Sequence, residues 1–292
     1  MDILAYKNNM QKLIDQALNG YFQPEAEIPK NLIEAMRYSI FNGGEHWRAL
    51  FCIASGETIG GKAEALMPVA CAIEFIYTGF MIHAGLAATG NEDYCCGKLS
   101  NHKVFGENMA ITAGDCFLTA AFSILSRDYN EPKLALSLIQ ELSKSIGMTG
   151  MVAGQVVDMF SRGKSMDKDV LAYICMHKTG ELINAAVRTG AIVAGAKEKE
   201  LEVLVNYSKN IGQALHIFND LRDAENKKKT SKSIDGNIVP QKMTYVGVYG
   251  QRKSREMARK HISRAKDCLR VLESPDLLCQ LADCIADMSL PV

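Results

Sequence analysis

IEFIYTGFMIHAGLAATGNEDYCCGKLSNHKVFGE, residues 73–107, decides how this chain is read. It begins as an apolar helical run, breaks into a polar, glycine-bearing turn, and resumes a helical pattern over 104–123. In a mostly helical protein such a break in a buried run is where the interior opens to solvent. Outward from it, the dominant period is helical. Met10, Leu13 and Leu18 mark an opening helix, Leu32, Met36 and Ile40 a second that stops at Gly43-Gly44, and Leu134, Leu138, Leu142 and Ile146 a further one closed by Gly147. Residues 173–194 and 198–226 are each long enough to cross a domain, whereas 227–241, rich in Lys, Ser, Gly and Asn, reads as a loop. Alternating strand patterns are scarce and no solenoid-type repeat is present. The expected fold is all-α, a single-domain bundle over residues 1–292 whose central helices are apolar nearly all round.

Composition narrows the function. The 33 basic and 33 acidic residues cancel, which removes the field that a general nucleic-acid or anionic-membrane binder uses. There is no basic segment leading into an apolar one at the start, and no uninterrupted apolar run of about 18 residues, so neither secretion nor a membrane span is expected and the chain reads as cytoplasmic. Nine cysteines without CxxC spacing read as reduced thiols, most of them buried as small hydrophobes. Cys95 and Cys96 differ in lying within the polar turn; read as ordinary thiols, they fall short of a metal's usual ligand set.

A second polar interruption, FNDLRDAENKKKTSK at 218–232, carries oxygen ligands. On a helix Asn219, Asp220 and Asp223 share one face, an arrangement suited to a hard cation such as Mg2+ in company with phosphates. The plainer reading is a solvated acidic helix end beside Lys227, Lys228 and Lys229. Lys178, Thr179, Lys232 and Lys242 shift the balance, because basic groups facing carboxylates at the edge of an apolar bundle form a diphosphate site.

Five stretches then resemble a known family in order and spacing: GKLSNHKVFGENMAITAGD (97–115), GMVAGQVVDMFSRGK (150–164), HKTG (177–180), FNDLRD (218–223) and QKMTYVGVYG (241–250). Together they are similar to the short-chain trans-prenyl diphosphate synthases of the farnesyl and geranylgeranyl type. The resemblance covers nearly the whole chain. It implies the isoprenoid-synthase helical bundle, usually a dimer, with an allylic diphosphate held through Mg2+ by two aspartate-rich motifs. Ionisation of that diphosphate gives a carbocation, which the double bond of isopentenyl diphosphate attacks.

The chain departs from the family pattern where this chemistry sits. Where the family reads His-Asp-Asp-Leu-Pro-x-Met-Asp-Asn, residues 83–91 read HAGLAATGN, so Ala84, Gly85 and Gly90 stand at three carboxylate positions. Cys95 and Cys96 replace the Arg-Arg that follows. In the isopentenyl diphosphate motif, GGEHWRA puts Glu45 in place of a lysine and keeps Arg48, while Tyr77 stands for a histidine. The second motif reads Asn219, Asp220, Asp223, with His216 at a glutamine position. Losing one electrostatic partner of a departing charge commonly costs about a hundred- to a thousand-fold in rate, and a carboxylate such as Glu45 repels an incoming diphosphate. Chain elongation by this protein alone is therefore not expected.

Three functions are compatible with that pattern. The preferred one is a repurposed enzyme acting on a single prenyl diphosphate, an atypical terpene cyclase or prenyltransferase. The alternative is a non-catalytic regulatory subunit that pairs with an active homologue; a conventional farnesyl or geranylgeranyl diphosphate synthase is third. Tyr77, Gly79, Phe80, Ala84 and His216 are expected to line the cavity, with Phe80, one turn below Ala84, as the plug that limits prenyl-chain depth.

Overall fold

The computed structural model describes residues 2–22, 28–165, 167–229 and 242–287, with main chain only at 226–229. Lys232, expected to bind diphosphate, and residues 230–241 of the expected loop lie outside them. Among the described residues the chain forms α1 (Ile3–Gly20), α2 (Lys30–Ile40), α3 (Trp47–Thr58) and α4 (Ala63–Gly85). A hairpin of β1 (Tyr94–Cys95) and β2 (Lys98–Leu99) follows, then α5 (Asn101–Phe105), α6 (Glu107–Asp128), α7 (Pro132–Ile146), α8 (Met151–Ser161) and α9 (Lys168–Ile174). A π turn at Cys175–Gly180 leads into α10 (Glu181–Val193), α11 (Glu198–Lys229), α12 (Tyr245–Tyr249), α13 (Gln251–Cys268) and α14 (Asp276–Asp287). The all-α expectation holds.

Local chemistry sets the helix ends. Asp2 caps α1 by accepting from the amides of Leu4 and Ala5 at 3.0 and 3.2 Å, and Glu131 and Asp167 cap α7 and α9 in the same way. The inward face of α1 is Met10, Ile14 and Leu18; Leu13, read as part of it, is exposed, because Ile14 occupies the position four residues from both neighbours. Three further expectations are corrected. The stretch 173–194 is interrupted by the π turn, residues 227–229 continue α11, and the antiparallel pair Tyr94↔Leu99, Cys95↔Lys98 was not anticipated, since four strand residues leave no periodic signal.

α4 is the axis of the bundle, packed against α1, α2, α3, α5, α6 and α10. Pro68 lies inside it and strains the preceding turn. There the Tyr129 hydroxyl enters the ladder, donating to the Ala65 carbonyl at 2.9 Å and accepting from the Val69 amide at 3.2 Å. Both α4 and α6 are long and apolar enough to cross a membrane by length and composition, which an uninterrupted-run criterion misses. In α4 that apolarity is spent on the core, where Leu66, Val69, Ile73 and Ile76 are fully buried.

Candidate functional site

The C-terminal half of α4, the hairpin, α8, the π turn and α11 enclose the polar interior, and its two sides differ in character. On one side the π turn carries Lys178 and Thr179. It is held in place by close backbone approach: a Cβ at Gly154 of α8 would lie 2.3 Å from the Lys178 amide, and one at Gly212 of α11 would lie 2.8 Å from Gly180. The extra residue of a π turn, common at functional sites, was hidden in sequence by continuous helical periodicity.

On that side Lys178 Nζ meets Asp158 at 2.6 Å, with Arg162 at 3.5 Å from the same carboxylate oxygen. Burial raises the Asp158 pKa, but these two cations and Lys242 outweigh it and hold the carboxyl below its usual range. Thr179 Oγ1 lies 2.8 Å from His216 Nδ1. Burial, reinforced by Lys178, lowers His216 to about 4, so its ring is neutral at pH 7. Asp220 behaves oppositely. Burial, aided by Asp223 and Asp158, raises it to about 7 even though its Oδ2 accepts from the Tyr245 amide at 2.7 Å. Among the described residues neither polar atom of the buried Gln155 amide has a hydrogen-bond partner, nor has His216 Nε2, so this side holds hydrogen-bonding capacity that a polar ligand could fill. Gln155, Asp158 and Arg162 were not singled out from sequence. Their spacing in GQVVDMFSR puts them along one face of α8 and its extension, which is the signal that could have found them.

The opposite side is closed. α4 ends at Gly85 and the chain folds back on itself, the amides of Thr89, Gly90 and Asn91 all donating to the Leu86 carbonyl and that of Glu92 to Gly85. A Cβ on Gly90 would lie 2.0 Å from the Ala84 carbonyl oxygen, so this backbone cannot carry an aspartate there. Arg162 donates to the carbonyls of Thr89 and Gly90 at 2.9 and 3.3 Å, and Lys242 pairs with Glu92. Two cations that could face a diphosphate instead tie down the turn.

Around α3 the same replacement recurs. Glu45 accepts from Lys7 at 2.8 Å and from Trp47 Nε1 at 3.1 Å; burial opposes its ionisation, yet these donors keep its carboxyl below the usual range. The Arg48 guanidinium stacks 3.5 Å from the centre of the Tyr77 ring, leaving Nε unpartnered, and burial pushes the Tyr77 phenol up. Below them His46, at φ +49°, bridges Glu74 at 2.8 Å and Asp15 at 3.2 Å. Burial works against a charged imidazole, but the two carboxylates raise His46 to about 9. A small cavity on this side, lined by Tyr77, Gly85, Glu92, Cys95 and Cys96 among others, encloses about 70 Å3.

The expected residues therefore divide. Thr179, Lys178, His216 and Asp220 come together. Asn219 and Asp223 lie on the same helix, with Asn219 Oδ1 accepting from Arg222 at 3.0 Å. Gly79, expected in the cavity, packs against α6, where its Cβ would lie 2.8 Å from the Gly114 carbonyl and 3.0 Å from Phe117 Cβ. Phe80 is half-buried against the apolar core and, like Ala84, is not part of the cleft lining. Among the described residues no group of three His, Cys, Asp or Glu side chains is arranged for a metal. α11 nevertheless fits a hard cation from its side, because the proton raised on Asp220 occupies a place where a divalent ion relieves the same carboxylate repulsion; α4 offers nothing opposite.

Comparison with known proteins is consistent with this scaffold. The polyprenyl synthetase family pattern matches residues 29–274. The heterodimeric geranylgeranyl pyrophosphate synthase large subunit 1 of Arabidopsis thaliana chloroplasts is 38% identical, over 98% of this chain and 79% of its own. The farnesyl diphosphate synthase of Geobacillus stearothermophilus is 35% identical over 92% of each. An FPP/GFPP synthase structure from Zymomonas mobilis superposes with a TM-score of 0.84 at 29% identity, covering 97% of this chain and 99% of that one. With its helical bundle, its π turn bearing Lys178 and Thr179 and its α11 carboxylates, this chain belongs to the polyprenyl synthetase family of short-chain trans-prenyl diphosphate synthases.

Proposed function

We propose that this protein is a prenyl diphosphate synthase relative that does not elongate chains by itself and serves as the partner subunit of an active homologue. The observation that carries this reading is the turn after α4, where Ala84, Gly85 and Gly90 replace the first carboxylate set and a Cβ at Gly90 meets backbone at 2.0 Å. Mg2+ would be held by Asp220 and Asp223, with Asn219 beside them, and would neutralise diphosphate charge; Lys178 and Thr179 would orient the phosphates. Without carboxylates facing them from α4, the departing diphosphate lacks half of the charge that stabilises its release, a deficit of several powers of ten in rate. Glu45, paired with Lys7, stands where a cation would be needed to hold isopentenyl diphosphate.

The partner-subunit reading takes precedence over the single-diphosphate enzyme preferred from sequence because the charges on the α4 side are paired within the protein, while the outer surface carries exposed apolar residues. Met148, Val152, Val156 and Phe160 are exposed at a spacing of four along and before α8, and Val104 and Ile111 are exposed near α6. A relative named as the large subunit of a heterodimeric synthase supports pairing within this family, and a homodimer is the other assembly such a surface allows. Unmet polar groups at Gln155 and His216 favour the second reading, binding of one prenyl diphosphate. Co-purification with an active geranylgeranyl synthase, followed by product analysis of the complex, tests the proposal. A stable complex with altered activity or product length is expected. Turnover of a prenyl diphosphate by the isolated protein with no complex formed would favour the second reading.

A further inference from the structure

The hairpin at the mouth of the cleft contains chemistry that neither elongation nor partner binding uses. Cys96 and Gly97 occupy its two turn positions at φ +52° and +81°, the signature of a type I′ turn, in which a non-glycine residue is held at some cost. Cys96 is exposed at the turn and lines the cavity beside it, while Cys95 stays half-buried, its carbonyl fixed by Asn42 Nδ2 at 2.8 Å. The two sulfurs lie 3.9 Å apart with Cys95 as the S–H donor. Arg222 of α11 faces Cys96 from across the cleft, Glu45 opposes it from the loop before α3, Glu92 lies nearer Cys95, and Tyr77 of α4 completes the surroundings.

We propose that Cys96 is a thiol-modification site, reacting by exchange with low-molecular-weight disulfides, and that Cys95 is its positioning residue. The Cys96 thiolate attacks one sulfur of the disulfide R–S–S–R. That S–S bond breaks, a new one forms between Cys96 and R–S, and the second R–S leaves as thiolate and takes a proton. The Cys96 sulfur is oxidised and the departing thiol reduced, so no other oxidant is needed. The donated S–H of Cys95 holds the Cys96 thiol below its usual range; burial and Glu45 oppose that shift and Arg222 adds to it, so more of Cys96 is the attacking thiolate at pH 7 than of an ordinary thiol. Cys95 itself is held protonated by its bond to Cys96 and by burial. Its Cα is one trans peptide from that of Cys96, about 3.8 Å, shorter than the roughly 4.4–6.8 Å that an ordinary disulfide spans. The adduct on Cys96 is therefore not displaced by its neighbour and persists until an external thiol removes it. A group attached there fills the cleft mouth beside Glu92 and Tyr77, which line the same space.

Glutathione disulfide is the probe. The protein is exposed to it at several pH values, quenched and mapped by peptide mass. The expected result is one glutathionyl group on Cys96, formed about two- to sixfold faster at pH 7 than on an ordinary accessible thiol, the gain in thiolate exceeding the loss of nucleophilicity. In Cys95→Ala the pH of half-maximal rate moves upward by more than one unit while Cys96 remains reactive at high pH. Even labelling of Cys116, Cys268, Cys279 and Cys284 alongside Cys96 would overturn the assignment. So would an unchanged pH profile in Cys95→Ala, or loss of two hydrogen masses at 95–96 in place of the adduct.

Discussion

The two sides of the interior have been treated differently by the sequence. Along α8, the π turn and α11, polar groups are gathered at a cost: Asp220 is buried near Asp223 and Asp158 and raised to about 7, and Gln155 is left without partners. Along the end of α4 and the start of α3, charges are instead neutralised within the protein, His46 against Glu74 and Asp15, Glu45 against Lys7, Lys242 against Glu92. Unrelieved charge marks a side that still has a ligand to meet, whereas internally paired charge marks one that has become structure. Removing the raised Asp220 charge should then stabilise the protein, and removing one partner of a paired charge should destabilise it.

The largest effect is expected at His46. Removing one partner of a buried ion pair leaves the other uncompensated, so His46→Ala should lower unfolding free energy by about 3–5 kcal/mol. Because the folded-state pKa of His46 is raised from 6.5 to about 9, its stabilisation is fully present below pH 6.5 and is lost as pH rises through 9. Urea melts at pH 6 and pH 9.5 should show the gap between parent and variant narrowing. An equal deficit at both pH values would mean that the pair is not ionic.

Asp220→Asn should act in the other direction. A carboxyl raised from 3.8 to about 7 binds more protons folded than unfolded between those values, so stability falls as pH rises through that window. The amide keeps the acceptor for Tyr245 and removes the charge. The variant should equal the parent near pH 4 and exceed it by roughly 2–4 kcal/mol above pH 7; a less stable variant at pH 8 would show that the first side is also structural. Gly90→Asp comes next, expected to lose about 1–3 kcal/mol through the clash with the Ala84 carbonyl and to gain no activity with Mg2+.

The fold was legible because α1, α2 and α7 carry apolar periodicity, because the run that forms α4 is apolar nearly all round, and because motif order is a long-range signal that single helices lack. The site was legible in part. Asp220, Lys178, Thr179 and His216, each named from a quoted motif, lie close together in the structure, but the cross-ties from Arg162 to Thr89 and Gly90 and from Lys242 to Glu92 join residues 73 and 150 positions apart at their widest, and nothing local announces them. Gly79 was misplaced for a related reason: helical spacing gives its angle around α4 but not which neighbour fills that angle, and α6 does. The π turn escaped because one added residue does not disturb periodicity over 173–194.

The smallest expected effect is ligand stabilisation. Inorganic pyrophosphate with Mg2+ at tenfold its dissociation constant should raise stability by about 1.4 kcal/mol, seen as a rise of a few degrees or less in melting temperature, and Asp220→Asn should abolish it. A shift retained in that variant but lost in Arg48→Ala would place the surviving anion site on the closed side instead.

The most direct measurement is turnover by the purified protein with Mg2+, isopentenyl diphosphate and geranyl, farnesyl or geranylgeranyl diphosphate, read by product chromatography. The loss of the α4 carboxylates predicts no lengthened prenyl diphosphate from the protein alone, with elongation appearing or changing only when an active homologue is added. Elongation by the protein alone at a rate within about tenfold of an ordinary synthase would contradict it.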